Sequence, residues 1–207
     1  MFLNVLPVGH EEVIKKISSY SFIKNFYLAG GTSLALQLGY RESVDFDFFS
    51  ENLFDPNDIL KTLGSDFKIE DLTMAKGTLN CSINGIKLQF LHYPYKIIEK
   101  FVIWDGINLS SVIDTACTKI ITASVRGSKK DYIDIYFLLQ KYSLEDIFKK
   151  MDIKYINLDF NKTHILKSLT YFKEADEQPM PRMHVDTDWN EVKKNISLKA
   201  IEYLKLL

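Results

Sequence analysis

Apolar positions along the first half of the chain change period several times, and each change marks an element. Between Glu11 and about Lys24, Val13, Ile14, Ile17 and Phe22 recur amid charges, which predicts an amphipathic first helix. A short strand follows over Phe26–Ala29. Gly30 and Gly31 break it, Thr32 opens a helix through Leu34, Leu36 and Leu38, and Gly39 stands where a helix C-terminus favours glycine. From Ser43 to Phe49 the pattern alternates, with Val44, Phe46 and Phe48 facing one way and Ser43, Asp45 and Asp47 the other, as in a half-buried strand. Pro56 starts a helix that runs to Gly64. Phe67–Thr73, Thr78–Ile83 and Ile86–Tyr93 read as strands, the last two joined by an Asn84-Gly85 hairpin turn.

Beyond Asn108 the period becomes helical, over Ser111–Val125, Lys130–Lys141, Leu144 to about Met151, Asn161–Phe172 and Asp188–Leu204. Ser110 or Ser111, Ser143 and Asp186 or Asp188 are expected N-caps, and Lys173–Asp186, with two prolines, is expected to be irregular. The predicted fold class is α/β in the α+β sense. A mixed-sheet lobe over residues 1–106 is followed by a helical lobe over 107–207.

Composition narrows the chemistry. Of 207 residues, 46% are hydrophobic, enough for a large core. The 26 basic and 27 acidic residues leave a net charge of −1, which removes the basic excess of a nucleic-acid-coating protein, so phosphate chemistry must come from a local patch. Cys81 and Cys117 form no CxxC pair, which supports neither a disulfide scaffold nor a zinc knuckle and fits a reduced, cytosolic setting. Four dispersed histidines offer no helical metal site. The opening MFLNVLPVGHEE has no basic leader, and no apolar run is long enough for a membrane span.

Asp45-Phe46-Asp47 is the sharpest feature. A spacing of two on a strand puts both carboxylates on one face, with Cα atoms about 6.5–7 Å apart. That face can share divalent metal ions, since Mg²⁺ accepts hard oxygen ligands and leaves positions for water and phosphate. Two solvated acids on an edge strand would show the same spacing. Gly30-Gly31-Thr32 adds a turn whose backbone can approach a phosphate and a helix start whose N–H groups point at an anion, although glycine pairs are also ordinary turns. In the second half Thr115, Lys119, Thr122 and Arg126 form a polar stripe on an apolar helix, expected to face water, a partner or a ligand. Asp131 and Asp134 share a face of the next helix and can hold Lys119 or Arg126 by salt bridge, or contact substrate directly.

The run YLAGGTSLALQLGYRESVDFDFFS, residues 27–50, resembles the nucleotidyltransferase superfamily signature of a glycine turn followed by an Asp-x-Asp strand. In detail it resembles the AbiEii/AbiGii abortive-infection toxins, in which a helix with a lysine and an arginine leads into a Lys-Asp-x-x-Asp helix. Here Lys119, Arg126, Lys130, Asp131 and Asp134 match in that order. The resemblance implies Mg²⁺-assisted transfer of a nucleoside monophosphate from an NTP to an acceptor hydroxyl, with RNA or a tRNA end as acceptor and an antitoxin as partner. It implies Asp45, Asp47 and Lys119 as catalytic residues, the two aspartates holding the metal. Gly30, Gly31, Thr32, Arg41, Ser43 and Arg126 would bind nucleotide and phosphate, with Arg41 either contacting phosphate or orienting the acid strand. Lys130, Asp131 and Asp134 would support them.

One departure stands out. The superfamily usually carries a third carboxylate on a later strand, yet Ile86–His92 contains no acid, and strand alternation puts Gln89 at that position. That leaves three alternatives: a single metal suffices, Glu70 or Asp71 reaches in, or catalysis is lost. Two other functions compete: a small-molecule, antibiotic-modifying nucleotidyltransferase, whose glycine-turn and Asp-x-Asp pattern is similar, and, from the missing acid, a degenerate domain that binds nucleotide or a partner without turnover.

Overall fold

A computed structural model describes residues 1–206. Glycines at positive φ set several of the chain reversals. Helix α1 (His10–Ser18) gives way to a 3-10 turn at Ser21–Asn25, so the first predicted helix is shorter and broken near Ser19. Strand β1 (Tyr27–Leu28) leads directly into α2 (Gly30–Leu38), which Gly39 ends in the left-handed region, its N–H bonded to the Ala35 carbonyl at 2.7 Å. Strand β2 (Phe46–Ser50) starts later than expected. Val44 is exposed and outside it, while Phe46 and Phe48 are fully buried. After α3 (Pro56–Gly64), capped by Asp55, come β3 (Glu70–Ala75), β4 (Thr78–Ile83) and β5 (Ile86–His92), with Asn84-Gly85 at positive φ between the last two.

A third hairpin was not anticipated. β6 (Val102–Trp104) and β7 (Ile107–Leu109) turn at Asp105-Gly106, both with φ > 0. Among the described residues the seven strands form one sheet in the order β3-β4-β5-β2-β1-β7-β6. β7 lies parallel to β1, so residues 107–109, grouped with the helical lobe in the sequence reading, belong to the sheet, and the change to helices comes at Ser110–Ser111. Three-residue strands give too short an alternation to be read from sequence; the Asp-Gly pair was the available signal.

The helical half comprises α4 (Val112–Val125), α5 (Lys129–Leu138), α6 (Leu144–Lys154), α7 (Lys162–Ser168), α8 (Lys173–Asp176) and α9 (Trp189–Leu204). Ser111, Ser143 and Asp188 cap α4, α6 and α9 through their side chains, as predicted, and Asn161 caps α7. α7 is shorter than the predicted 161–172.

One core lies on the face of the sheet that carries Phe46, Phe48 and Phe90, the last two stacked with ring centroids 5.0 Å apart. Another fills the helical half around Cys117, Ile120, Ile133, Phe148 and Ile196. The halves interlock. Leu34 and Tyr40 reach into the helical core, and the segment after α8 returns to pair with Arg41, its Arg182 carbonyl accepting from the Glu42 N–H at 2.9 Å. The face of β2 opposite Phe46 therefore looks toward the junction of α2, α4 and α5.

Candidate active site

Burial of Phe46 and Phe48 turns Asp47 to the other face of β2. There the Asp47 carboxylate makes no hydrogen bond or ion pair to any described residue. Burial pushes its pKa up, the nearby Lys119 ammonium pulls it back, and Asp45 pushes it up again. Gly30, at φ +64°, lies against Asp47 so closely that a Cβ there would collide with Oδ2. The glycine turn and the acid strand are thus in direct contact. The start of α2, beside the carboxylate, is capped by no side chain, so its first N–H groups have no side-chain partner.

The other residues of the glycine–acid segment point inward. Thr32 Oγ1 donates to the Asp45 carbonyl and is 2.7 Å from Ser43 Oγ, both side chains being buried. Their hydroxyls tie α2 to the acid strand instead of facing a phosphate. Arg41, which the sequence left between two roles, is buried against Asp134: Nε reaches Oδ1 at 2.7 Å and Nη2 reaches Oδ2 at 2.9 Å. Its guanidinium also fills the space next to Gly31 that a Cβ would take. The geometry makes Arg41 an orienting residue.

Lys119 is buried as well, 2.8 Å from Asp131 Oδ1 and 2.6 Å from Asp134 Oδ2. The stripe on α4, expected to face water, a partner or a ligand, is internal at Lys119 and at Thr115, which is bonded to Ser110 and Ser111, and reaches the surface at Arg126. Arg126 holds Asp131 at 2.9 Å while its side chain stays 66% exposed. Three cations thus share two carboxylates, and the surplus positive charge sits beside Asp47. Asp134 has its pKa brought down to about 2, because Arg41 and then Lys119 outweigh the upward push of burial. Lys119 stays charged because Asp134 and Asp131 outweigh its own desolvation. Tyr40, which no sequence signal marked, donates to Asp134 Oδ1 at 2.6 Å. Lys130, expected to support the site, is exposed and joins none of these bonds. Its neighbour Lys129 is the buried lysine, bonded to Gln178 and lying 5.1 Å over the Trp189 ring.

On the far side of β2 the register sets Gln89 of β5 directly opposite Asp47. The Asn84-Gly85 turn pairs Ile83 with Ile86, so counting outward puts Asn80 beside Gln89, and the bulged β3 puts Thr73 beside Asn80. Gln89 Nε2 donates to Asn80 Oδ1 at 2.8 Å, and Asn80 Nδ2 donates to Thr73 Oγ1 at 3.2 Å. A polar row thus crosses four strands to Asp47, ending in a Gln89 carbonyl oxygen with no partner among the described residues. Asn80 and Thr73 went unremarked in the sequence, although the hairpin register contained the signal. Among the described residues no group of three or more His, Cys, Asp or Glu is arranged to hold a metal. What is present is the Asp45–Asp47 pair, two hard anionic oxygen donors without protein partners, and that suits a divalent ion shared with a phosphate.

Known proteins resemble this chain in sequence and in fold. Residues 14–68, which span the glycine turn and the Asp-x-Asp strand, match the family profile described as "Nucleotidyl transferase AbiEii toxin, Type IV TA system". An uncharacterized protein of Aquifex aeolicus, aq_aa25, is 36% identical over 97% of this chain and 98% of its own length. JHP933 from Helicobacter pylori superposes with a TM-score of 0.55 at 16% identity, covering 97% of this chain and 92% of that one. MenT4, a nucleotidyltransferase toxin from Mycobacterium tuberculosis, gives 0.57 at 12% identity over 95% and 83%. These structural likenesses carry the fold. The chain therefore belongs to one family with aq_aa25, and its glycine-turn and acid-strand segment matches the profile of the AbiEii nucleotidyltransferase toxins.

Proposed function

We propose that this toxin transfers a nucleoside monophosphate from an NTP to a hydroxyl of an RNA acceptor, such as a tRNA end, in a Mg²⁺-dependent reaction. The observation that carries the reading is the unpartnered Asp45–Asp47 pair lying between an uncapped helix start and a surplus of positive charge. When bound, Mg²⁺ supplies charge neutralisation and polarises the phosphate, and Asp45 and Asp47 are the residues that would hold it. The N–H groups at Gly30 and Gly31 receive phosphate oxygens. Arg126, whose guanidinium is exposed at one edge, reaches the outer phosphates. Lys119 acts from behind, fixing Asp131 and through it Arg126, and its charge offsets that of the leaving group. The acceptor oxygen forms a bond to the α-phosphorus while the bond to the bridging oxygen breaks. Pyrophosphate leaves and the hydroxyl proton passes to solvent. The family's toxin–antitoxin setting also supplies an antitoxin as partner.

A second reading, nucleotide binding without turnover, is favoured by the neutral Gln89 where a third acid is usual. Incubation with each labelled NTP, Mg²⁺ and total tRNA separates the two. The proposal expects label in RNA, lost on Asp47→Asn; binding of NTP with no label in any nucleic acid or small hydroxylated acceptor would favour the second. Mg²⁺ should raise the Tm of the native protein and not that of Asp47→Asn, because a ligand that binds only the folded state stabilises it by mass action.

A further inference from the structure

A cavity of about 310 Å³ opens beside the acid pair, over β5 and β4, with Asp45, Asp47, Asp71, Asn80, Lys87 and Gln89 on its walls. The geometry points to this cavity as the pocket for the terminal nucleoside of the RNA acceptor, with Asn80 and Gln89 as its specificity-determining residues and Lys87 at its mouth. The inference rests on the proposed transfer reaction and adds the place and chemistry of its second substrate.

Position carries the first step. In the sheet order, β1 and the α2 start lie on one side of β2, and β5 and β4 lie on the other. A triphosphate on the glycine turn therefore approaches the aspartates from one side and leaves the cavity free on the other. Displacement at phosphorus needs the entering and leaving oxygens in line on opposite sides of the α-phosphorus, so the acceptor belongs in the cavity.

Wall chemistry carries the second step. With Asp45 and Asp47 engaged by metal, the remaining charges are Asp71 and Lys87, one of each sign, both exposed at the mouth. An oligocationic antibiotic would need a surplus of carboxylate there, and none remains. The interior instead offers amides. Gln89 keeps a free carbonyl acceptor, and Asn80, bonded through one N–H to Thr73, keeps a second donor. A donor and an acceptor side by side on flat side chains match the edge of a nucleobase. The mouth faces β3, an edge strand exposed along its whole length, so a polymer can leave the pocket unobstructed while Lys87 meets its next phosphate.

Two measurements test this on the full chain. The first is steady-state labelling of total tRNA by Lys87→Ala, Gln89→Ala and Asn80→Ala, alongside the affinity of each for a non-hydrolysable NTP with Mg²⁺. KM for RNA should rise about tenfold in Gln89→Ala, and Lys87→Ala should weaken RNA binding with a shallower salt dependence. NTP affinity should be unchanged in both. The second is photocrosslinking of RNA bearing a photoreactive terminal nucleoside, which should modify the peptide spanning residues 78–92. Unchanged RNA KM in all three variants, or crosslinks confined to the helical half, would overturn the pocket while leaving the transfer reaction standing. Absence of any NTP binding or labelling in the native protein would instead remove the reaction on which the pocket rests. Competition by a polycationic antibiotic that itself becomes labelled would assign the cavity to small molecules and overturn the inference.

Discussion

Glycine at position 30 permits two things at once: a φ of +64° and a carboxylate packed against the turn. Gly30→Ala should cost about 1–2 kcal/mol for the left-handed backbone, and the new methyl must displace Asp47. The expected outcome is a folded protein by circular dichroism whose NTP-dependent labelling is lost. Gly31→Ala pushes instead on Arg41 and should be felt more in stability. At Asp134 the stakes are larger, because Asp134→Ala leaves Arg41 and Lys119 buried with a single remaining carboxylate, Asp131, between them. A loss of about 3–5 kcal/mol in denaturant titration is expected. Tyr40→Phe, which deletes one hydrogen bond to the same carboxylate, should cost about 1–2 kcal/mol. The large difference between the two follows from charge, since one variant strands cations and the other removes a neutral donor.

At the scale of elements, β2 is held by aromatic packing on one face so that its other face can carry unpaired acids. Phe48→Ala opens a hole against Phe90 and Phe46 and should cost about 3–5 kcal/mol, measurable by thermal or urea unfolding. That strand was legible from sequence because alternation, glycine punctuation and two acids coincide within it, and the Asn84-Gly85 hairpin was legible from its turn chemistry. The boundaries that failed did so for physical reasons. Val44 continues the alternation in sequence but lies outside the ladder, and the three-residue strands β6 and β7 are too short to show a period. The stripe on α4 illustrates a deeper limit. Helical spacing correctly put Lys119 and Arg126 on one side, but whether that side meets water depends on α5, and only the fold shows Asp131 and Asp134 closing over Lys119. Likewise Thr32, Ser43 and Arg41 have the residue types of a phosphate site, yet Thr32 and Ser43 bond each other and Arg41 is drawn inward by Asp134 from the distant α5. Gly30, Asp45 and Asp47 were read from local pattern, since their placement is decided within one strand–turn–helix unit.

Across the whole molecule the charged cluster joins the two halves: Tyr40 and Arg41 follow α2 of the sheet half, and Lys119, Asp131 and Asp134 come from α4 and α5. Loss of that cluster should loosen both halves together, and acid offers a way to remove it without mutation. Asp134 has a folded pKa near 2 against an ordinary value of 3.8. A carboxyl whose pKa is depressed by folding contributes its full stability above the unfolded value and loses it as pH falls through the folded one. Asp134 should therefore contribute on the order of 2 kcal/mol at neutral pH and surrender it between about pH 4 and pH 2. Asp47 works in the opposite direction. Burial raises its pKa, so its ionised form opposes folding at neutral pH, and protonation at falling pH returns stability before Asp134 begins to lose its share. Stability measured by urea titration should consequently rise as pH is lowered toward 4 and then fall steeply below it. Probes of the sheet half and the helical half should lose structure at the same midpoint. Asp134→Asn should start less stable and show a flattened slope below pH 4. An unchanged slope in that variant would mean that acid unfolding is driven elsewhere, and separate midpoints for Trp104 and Trp189 fluorescence would mean that the cluster does not couple the halves.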